Sequence, residues 1–119
     1  ELAFLNYLMP EDDEVFITGG EKEWLVMTSH CLPAIAPTGG EGCWKPEWTP
    51  RLERFKSIWI ALDDEPAGDT GTRAIRKNIP MAHVIKFELA GVKSFSEFMK
   101  TNDLDDFEYL KKECLWRYG

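Results

Sequence analysis

The chain has few of the residues that cross-link small proteins or bind structural zinc. Its 119 residues include 3 cysteines and 2 histidines, and no Cys-x-x-Cys pair occurs. An odd number of widely spaced cysteines argues against both a disulfide framework and a zinc site. We therefore interpret Cys31, Cys43 and Cys114 as reduced, buried thiols of a cytoplasmic protein, and we expect no zinc in this chain.

Long apolar runs and an excess of positive charge are also missing. No stretch approaches the roughly 18 consecutive apolar residues of a membrane span, and no signal peptide opens the chain. Basic residues number 14 and acidic residues 21, which gives a net charge of −7. A domain that binds nucleic acid unaided is usually basic. We expect no membrane partner, and we expect any nucleic-acid binding to need a bridging metal or neighbouring domains.

The composition is that of an ordinary globular domain, with 44% apolar and 29% charged residues. The length predicts one domain, 1–119, with its core at 14–100. The first residue is Glu1 and not Met, so we expect a fragment of a longer protein.

Strand-like and helix-like segments alternate along the chain. Strand patterns occupy 15–18, 32–36, 57–62 and 82–87, and the first ten residues fit either a strand or a short helix. Helical patterns begin at 21 and cover 47–55, 95–100 and 104–116, and a further helix capped at 69 or 70 runs to 78. The alternation predicts an α/β fold with about four strands in a mostly parallel sheet, helices on both faces and a C-terminal helix. The residues predicted to face the core are Trp24, Leu25, Met27 and Thr28 in the first helix, and Leu104, Phe107, Leu110 and Leu115 in the last.

The segment around which the chain is organised is the apolar run 57–62, which ends at Asp63, Asp64 and Glu65. A run with β-branched and aromatic members suits a strand that is buried on both faces. In open α/β sheets, ligands bind outside the carboxyl ends of the strands, and carboxylates there suit a hard cation. The alternative is an ordinary strand-to-helix turn, in which aspartate is common.

Two glycine pairs follow the other predicted strands, Gly19–Gly20 and Gly39–Gly40. Glycine lets backbone amides approach a phosphate closely. Glycine loops beside a carboxylate cluster therefore favour metal-dependent phosphoryl chemistry or phosphate binding. Ordinary turns also use glycine, and the second loop lacks the Gly-Lys-Ser/Thr ending of a P-loop.

Basic and aromatic residues could add contacts to nucleic acid. Lys22, Lys45 and Lys93 lie nearest the predicted strand ends and are the best candidates for phosphate contacts, whereas most of the remaining cations are expected to be solvated. The 5 tryptophans could stack on bases, but in a domain of this size a place in the core is the favoured interpretation.

Five segments occur in a characteristic order: 15–23 (Val-Phe-Ile-Thr-Gly-Gly-Glu-Lys-Glu), 33–40, 44–48 (Trp-Lys-Pro-Glu-Trp), 63–68 (Asp-Asp-Glu-Pro-Ala-Gly) and 93–98 (Lys-Ser-Phe-Ser-Glu-Phe). The chain resembles a Toprim domain, the metal-binding fold shared by topoisomerases, primases and some nucleases. The likeness is closest to the primase half of primase–helicases of phages and mobile elements. The first segment resembles the family's first motif, a strand that ends in Glu-Gly-x-x-Asp. The fourth segment resembles the motif Asp-x-Asp-x-Ala-Gly, and the fifth resembles Lys-Asp-x-Asn-Asp/Glu.

The resemblance implies a role in DNA replication, with nucleotidyl transfer that depends on Mg²⁺ or Mn²⁺ and with DNA, RNA and nucleotides as partners. It assigns metal binding to Asp63, Asp64 and Glu65. From their places at the predicted strand ends, we assign phosphate or nucleic-acid binding to Gly20, Lys22, Gly39, Gly40, Lys45 and Lys93.

Three positions depart from the family pattern. The motif-one glutamate, the family's acid or base, falls on Gly19; the second aspartate of Asp-x-Asp falls on Glu65; and the later aspartate falls on Ser94. We expect Glu21 or Glu23 to replace the missing glutamate, and we assign catalysis to Glu21 with Asp63.

Two other functions remain open on the sequence. The chain could be a degenerate Toprim domain that binds nucleic acid or protein without catalysis, because Gly19 and Ser94 replace family acids. It could also be an unrelated α/β interaction domain, which the acidic net charge favours.

Overall fold

The apolar runs of the sequence form the centre of a parallel sheet. The computed structural model describes residues 2–3, 8–37 and 44–118. Within them a five-stranded sheet has the order β1-β3-β2-β4-β5, in which β2 to β5 are parallel and β1 pairs antiparallel with β3. The strands are β1 Leu2–Ala3, β2 Glu14–Thr18, β3 Ala34–Pro37, β4 Ser57–Ala61 and β5 His83–Val84. The predicted mostly parallel sheet is confirmed, and the ambiguous first segment contributes the antiparallel edge.

Helices connect the strands as the alternation predicted. The α-helices are α1 Glu21–Ser29, α2 Pro66–Asn78, α3 Phe95–Phe98 and α4 Leu104–Tyr118, and 3₁₀ helices span Pro46–Leu52 and Phe87–Ala90. The predicted start of α2 at residue 69 or 70 is wrong. Pro66 occupies the first helical position, where its missing N–H leaves no hydrogen bond unmade, and extended Glu65 precedes it.

Neighbouring residues of β2 and β4 point to opposite faces of the sheet, so each face has a hydrophobic core of its own. One core contains Val15, Ile17 and Ile60 together with Ile75 of α2. The other contains Phe16 and Trp59 of the sheet, and the helix residues Trp24, Met27, Phe95, Phe98, Phe107, Leu110 and Cys114. Helices therefore cover both faces, as predicted. Four tryptophans, Trp24, Trp44, Trp48 and Trp59, are buried, whereas Trp116 is 84% exposed.

The predicted core faces of two helices need correction. In α4 the buried residues are Phe107, Leu110, Lys111 and Cys114, which is one face of a helix with about 3.6 residues per turn. Leu104, Leu115 and Leu25 of α1 are exposed, because they lie off the faces that meet the sheet. The prediction of buried thiols holds for Cys114 and is wrong for Cys31, which is exposed; Cys43 lies outside the described residues. Within the same ranges, no helix has the length and apolar character needed to cross a membrane.

A buried lysine joins α4 to the sheet. The ammonium group of Lys111 lies 3.0 Å from carboxylate oxygens of Glu14 and Glu108. It also lies 5.2 Å from the ring centroids of Phe16 and Trp59, and the Trp59 indole N–H donates to Glu14 at 3.1 Å. The charge of Lys111 is thus compensated, which a buried cation requires.

The first turn of α2 packs directly on the end of the acidic segment. A Cβ atom at Gly68 would overlap the carbonyl oxygen of Asp63 and lie 3.0 Å from its carbonyl carbon. The helix can therefore approach this backbone only through a residue without a side chain. This close approach fixes the position of Asp63 relative to α2.

We expect Gly68→Ala to lower the free energy of unfolding by about 1–3 kcal/mol, the usual cost of overpacking. In an unconstrained helix interior the same change stabilises by about 1 kcal/mol, so the sign is diagnostic. Urea unfolding followed by circular dichroism measures the effect. Gly20→Ala is the control for a glycine without a steric clash, because a Cβ there meets no atom within 4 Å and the backbone is extended (φ −172°). Gly20 is the N-cap of α1, so we expect this variant to lose only the preference for glycine over alanine at an N-cap, at most about 1 kcal/mol. A stabilised Gly68→Ala variant would contradict the proposed contact.

Candidate metal and phosphate site

The pairing of β2 with β4 brings two candidate segments to one edge of the sheet. The register pairs Thr18 with Ala61, so the residues that follow each strand emerge side by side. The hydroxyl group of Thr18 donates to the carbonyl oxygen of Ile35 at 3.0 Å and lies 3.3 Å from that of Gly20. These contacts connect the turn after β2 to the neighbouring strand.

A small cavity of about 210 Å³ lies at this edge. Its lining comes from the turn after β2, the first turn of α1, the end of the acidic strand and the start of α3. The lining residues are Gly19, Gly20, Lys22, Glu23, Asp63, Ser94 and Ser96. The first, fourth and fifth of the segments that resemble Toprim motifs therefore meet here, although they are far apart in the sequence.

Glu23 supplies the second carboxylate of the cavity. Its side chain is buried, with 7% of the residue exposed. Its two oxygens accept hydrogen bonds from the backbone N–H of Ser96 at 2.9 Å and from the Ser96 hydroxyl at 2.7 Å. These bonds fix the Glu23 carboxylate against the start of α3.

Glu21, the predicted replacement for the family's glutamate, lies at the first position of α1, is exposed and does not line the cavity. Two residues on a helix are about 200° apart, so Glu21 and Glu23 face opposite directions. The signal in the sequence was the periodicity: Glu23 lies four residues before Met27, on the face of α1 that meets the core.

Asp63 lies in an electrostatically unfavourable place for a carboxylate. Partial burial raises the pKa of Asp63 above its ordinary value of 3.8, and the negative charges of Glu23 and Glu65 raise it further. The ammonium group of Lys22 lowers the pKa but does not cancel these effects. A cation beside Asp63 would relieve the repulsion between these carboxylates.

Asp64 and Glu65 occupy other surroundings. The Asp64 carboxylate accepts the backbone N–H of Glu88 at 2.6 Å, and burial raises the pKa of Asp64 despite this bond and the charge of Lys86. Glu65 is exposed, and its side chain caps no backbone N–H of α2. The cavity lining contains Asp63 but neither of these two acids. Within the part of the chain that the structure describes, no group of three His, Cys, Asp or Glu side chains could hold a metal.

Ser94 lies at the position where the family pattern has an aspartate. It lines the cavity and is the N-cap of α3, where its hydroxyl accepts the backbone N–H of Glu97 at 3.2 Å. Its hydroxyl also lies 3.2 Å from that of Ser96. The serine pair thus joins α3 to Glu23.

The predicted phosphate ligands are distributed unevenly. Gly20 and Lys22 line the cavity. Lys45 is exposed, and its ammonium group lies 5.7 Å from the ring centroid of Trp48. Lys93 is also exposed, and its carbonyl oxygen accepts the N–H of Asp64 at 2.8 Å. The remaining candidates, Gly39 and Gly40, lie outside the described residues.

The oxygen donors that line the cavity are of the type that Mg²⁺ prefers, with two carboxylates among them. Two carboxylates and two serine hydroxyls are hard oxygen ligands, and magnesium is usually bound by one or two protein carboxylates while it keeps several waters. The raised pKa of Asp63 indicates negative charge that a cation would compensate. The cavity holds no His or Cys among its lining residues, which makes it a poor zinc site.

Comparison with solved structures identifies the fold. A chain from a complex of bacteriophage T7 lagging-strand DNA polymerase with primase domains bound to an RNA/DNA hybrid and dTTP matches with a TM-score of 0.64 and 19% identity, over 91% of this chain and 56% of that chain. The primase fragment of the bacteriophage T7 primase–helicase protein matches with a TM-score of 0.64 and 17% identity, over 88% of this chain and 44% of that fragment. The chain spans about half the length of these structures. No protein-family model and no curated protein matches it. The predicted α/β fold is confirmed, and the matched parts of these two structures share it.

We expect Asp63→Asn to stabilise the metal-free protein at neutral pH. A carboxyl group whose folded pKa is raised binds more protons in the folded state, so stability falls as the pH rises from about 3.8 through the folded value. The variant does not lose this stability. Above the folded pKa of Asp63, we expect its free energy of unfolding to exceed that of the wild type by up to about 1 kcal/mol, because partial solvent exposure weakens the effect. Thermal unfolding in EDTA at pH 3.5 and pH 7 measures the difference.

Glu21→Gln is the matched control for this prediction. It also removes one carboxylate, but from an exposed position in the first turn of α1, where a negative charge interacts favourably with the helix dipole and stabilises the helix. We expect a slight loss of stability at pH 7. Equal stabilisation by both variants would attribute the effect to the net charge of the protein and not to the surroundings of Asp63.

Proposed function

We propose that this domain carries out the metal-dependent nucleotidyl-transfer step of a primase, with the cavity at the ends of β2 and β4 as its reaction site. The observation that supports this most strongly is the pair of carboxylates, Asp63 and Glu23, in a cavity that also contains Lys22. The primase fold supports the same reaction class. A domain of this kind would act on nucleotides and on a DNA or RNA strand.

In this proposal Asp63 and Glu23 would hold Mg²⁺ or Mn²⁺, and Ser96 keeps Glu23 in position through its two hydrogen bonds. A cation bound there would neutralise the negative charge that develops on the transferring phosphate. Lys22 lines the same cavity and would bind phosphate oxygens, together with backbone N–H groups at the start of α1. Glu23 thereby takes the role that was predicted for Glu21.

Neighbouring domains are part of the proposal. The net charge of −7 opposes binding to a polyanion, and the chain covers about half the length of the primase structures that it matches. We therefore propose that other domains supply much of the affinity for the template.

We expect Mg²⁺ to stabilise the wild-type protein through the two cavity carboxylates. At ten times its dissociation constant, a ligand that binds the folded state alone adds about 1.4 kcal/mol, or about 5 °C in Tm for a domain of this size. Asp63→Asn and Glu23→Gln should each remove most of this increase. Differential scanning fluorimetry with and without Mg²⁺ measures it, and titration calorimetry gives the affinity.

The same variants test the reaction. Oligonucleotide synthesis on a single-stranded template should fall more than about 100-fold in Asp63→Asn, and Glu21→Gln should keep both the activity and the response to Mg²⁺. Loss of the Mg²⁺ response in Glu21→Gln but not in Glu23→Gln would return the role to Glu21. No heat with Mg²⁺ or Mn²⁺ in the wild type would contradict a metal site altogether.

We expect Ser94→Asp to strengthen metal binding. The substitution adds a third carboxylate to the cavity, and aspartate serves as well as serine at the N-cap of α3, so α3 should remain intact. Mg²⁺ affinity should rise at least about threefold, while stability in EDTA falls because like charges are closer. Calorimetric titration measures the affinity, and Ser94→Asn, which keeps the cap without the charge, is the control. An unchanged affinity would place the metal away from Ser94.

A further inference from the structure

A basic groove lies at the β5 edge of the sheet, outside the cavity described above. It has a volume of about 520 Å³ and runs between α2 and the end of α4. Four cations line it: Arg73, Arg76 and Lys77 from α2, and Lys86 from the segment after β5. The α2 cations lie at spacings of three and four residues, so they share one face of the helix. The groove thus concentrates positive charge in an acidic protein.

These cations are available to a ligand. The ion pairs found among the described residues involve Lys111 and Arg117, so within that part of the chain no carboxylate lies within 4.0 Å of the four groove cations. The guanidinium group of Arg76 donates to the carbonyl oxygen of Pro80 at 3.4 Å, which leaves most of its donors unused. Asp69 also lines the groove but does not neutralise it.

An aromatic side chain completes the groove. Tyr118, at the end of α4, lines it and is 49% exposed. Sites for single-stranded nucleic acid combine cations that follow the backbone with aromatic rings on which bases stack. Arginine suits phosphate especially well because its planar fork donates two parallel hydrogen bonds.

The groove is connected to the candidate reaction site through the backbone. The N–H of Lys86 lies 3.3 Å from the thiol sulfur of Cys114 in α4, which fixes Lys86 against that helix. Asp64, which adjoins Asp63 in the sequence, accepts the N–H of Glu88 two residues further on.

We propose that this groove binds the sugar-phosphate backbone of a single-stranded nucleic acid, with Arg73, Arg76, Lys77 and Lys86 contacting phosphates and Tyr118 stacking on a base. The inference rests on the proposed function in taking the ligand to be nucleic acid, but it does not depend on metal binding or catalysis. The proposal gives residues of α2 beyond its first turn a role in binding single-stranded nucleic acid.

Binding of fluorescein-labelled dT12 to the 119-residue chain, measured by anisotropy in EDTA, tests the proposal. The variant combines Arg73→Gln, Arg76→Gln and Lys77→Gln. At 50 mM salt we expect its affinity to fall at least about tenfold, and the slope of log K against log salt to decrease by about 2, since each phosphate contact to a single strand contributes about 0.7.

A matched triple variant separates the groove from net charge. Arg51→Gln, Lys56→Gln and Lys100→Gln also remove three exposed cations, none of which lines the groove. We expect this variant to lose less than about threefold in affinity. Equal losses in the two variants, or no loss in either, would overturn the proposal. A groove variant that loses binding of a fluorescent nucleoside triphosphate but keeps dT12 binding would also overturn it, because the groove would then be a triphosphate site.

Substitutions of Tyr118 test the stacking contact. Tyr118→Ala should weaken dT12 binding at least about fivefold, the lower end of the range for one stacked base, whereas Tyr118→Phe should bind as the wild type does. An abasic strand of the same length should not distinguish Tyr118→Ala from the wild type. A loss in Tyr118→Ala that is equal for dT12 and the abasic strand would contradict stacking.

The outcome is independent of the metal site. If the groove triple variant loses dT12 binding while Mg²⁺ stabilises no form of the protein, the groove proposal stands and the proposed reaction fails. If Mg²⁺ binds through Asp63 and Glu23 while dT12 binding is unaffected by the groove variants, the groove proposal fails and the reaction site stands.

Discussion

The parallel pairing of β2 with β4 is the constraint on which the rest of the molecule depends. Five residues of each strand pair in register, from Glu14 with Ser57 to Thr18 with Ala61. Because the strands are parallel and buried on both faces, a slip by one residue would exchange the two cores. The same register makes the turn after β2 and the acidic segment after β4 emerge together. The position of the candidate reaction site is thus a consequence of core packing.

The site is held by polar contacts and close backbone approach. Gly68 lets α2 begin against the carbonyl of Asp63, and Ser96 binds both oxygens of Glu23. The cost of this arrangement is electrostatic, since Asp63 is partly buried beside other carboxylates and its pKa is raised. Repulsion of this kind within a cavity is typical of sites that receive a cation or another positively charged group.

The sequence predicted the fold well because its signals were strong and local. The apolar run before Asp63 and the glycine pair after Thr18 marked strand ends, and alternating helical patterns implied a parallel sheet. The predictions failed where a face had to be chosen: Leu25 and Leu115 are apolar but exposed. Apolar character alone did not show which side of each helix meets the sheet. Charge misled in the opposite direction, since Lys111 is buried because two carboxylates and two aromatic rings surround it.

What the sequence determined by itself was the order of strands and helices, the acidic strand end and the likeness to a primase-type fold. Only the tertiary structure separated Asp63, which faces the cavity, from its neighbour Asp64, which binds the backbone of Glu88. It also brought Glu23 into the cavity and gathered the α2 cations with Tyr118 into one groove. The physical reason is that residues adjacent in sequence point in different directions, and the packing of helices on the sheet decides which directions meet.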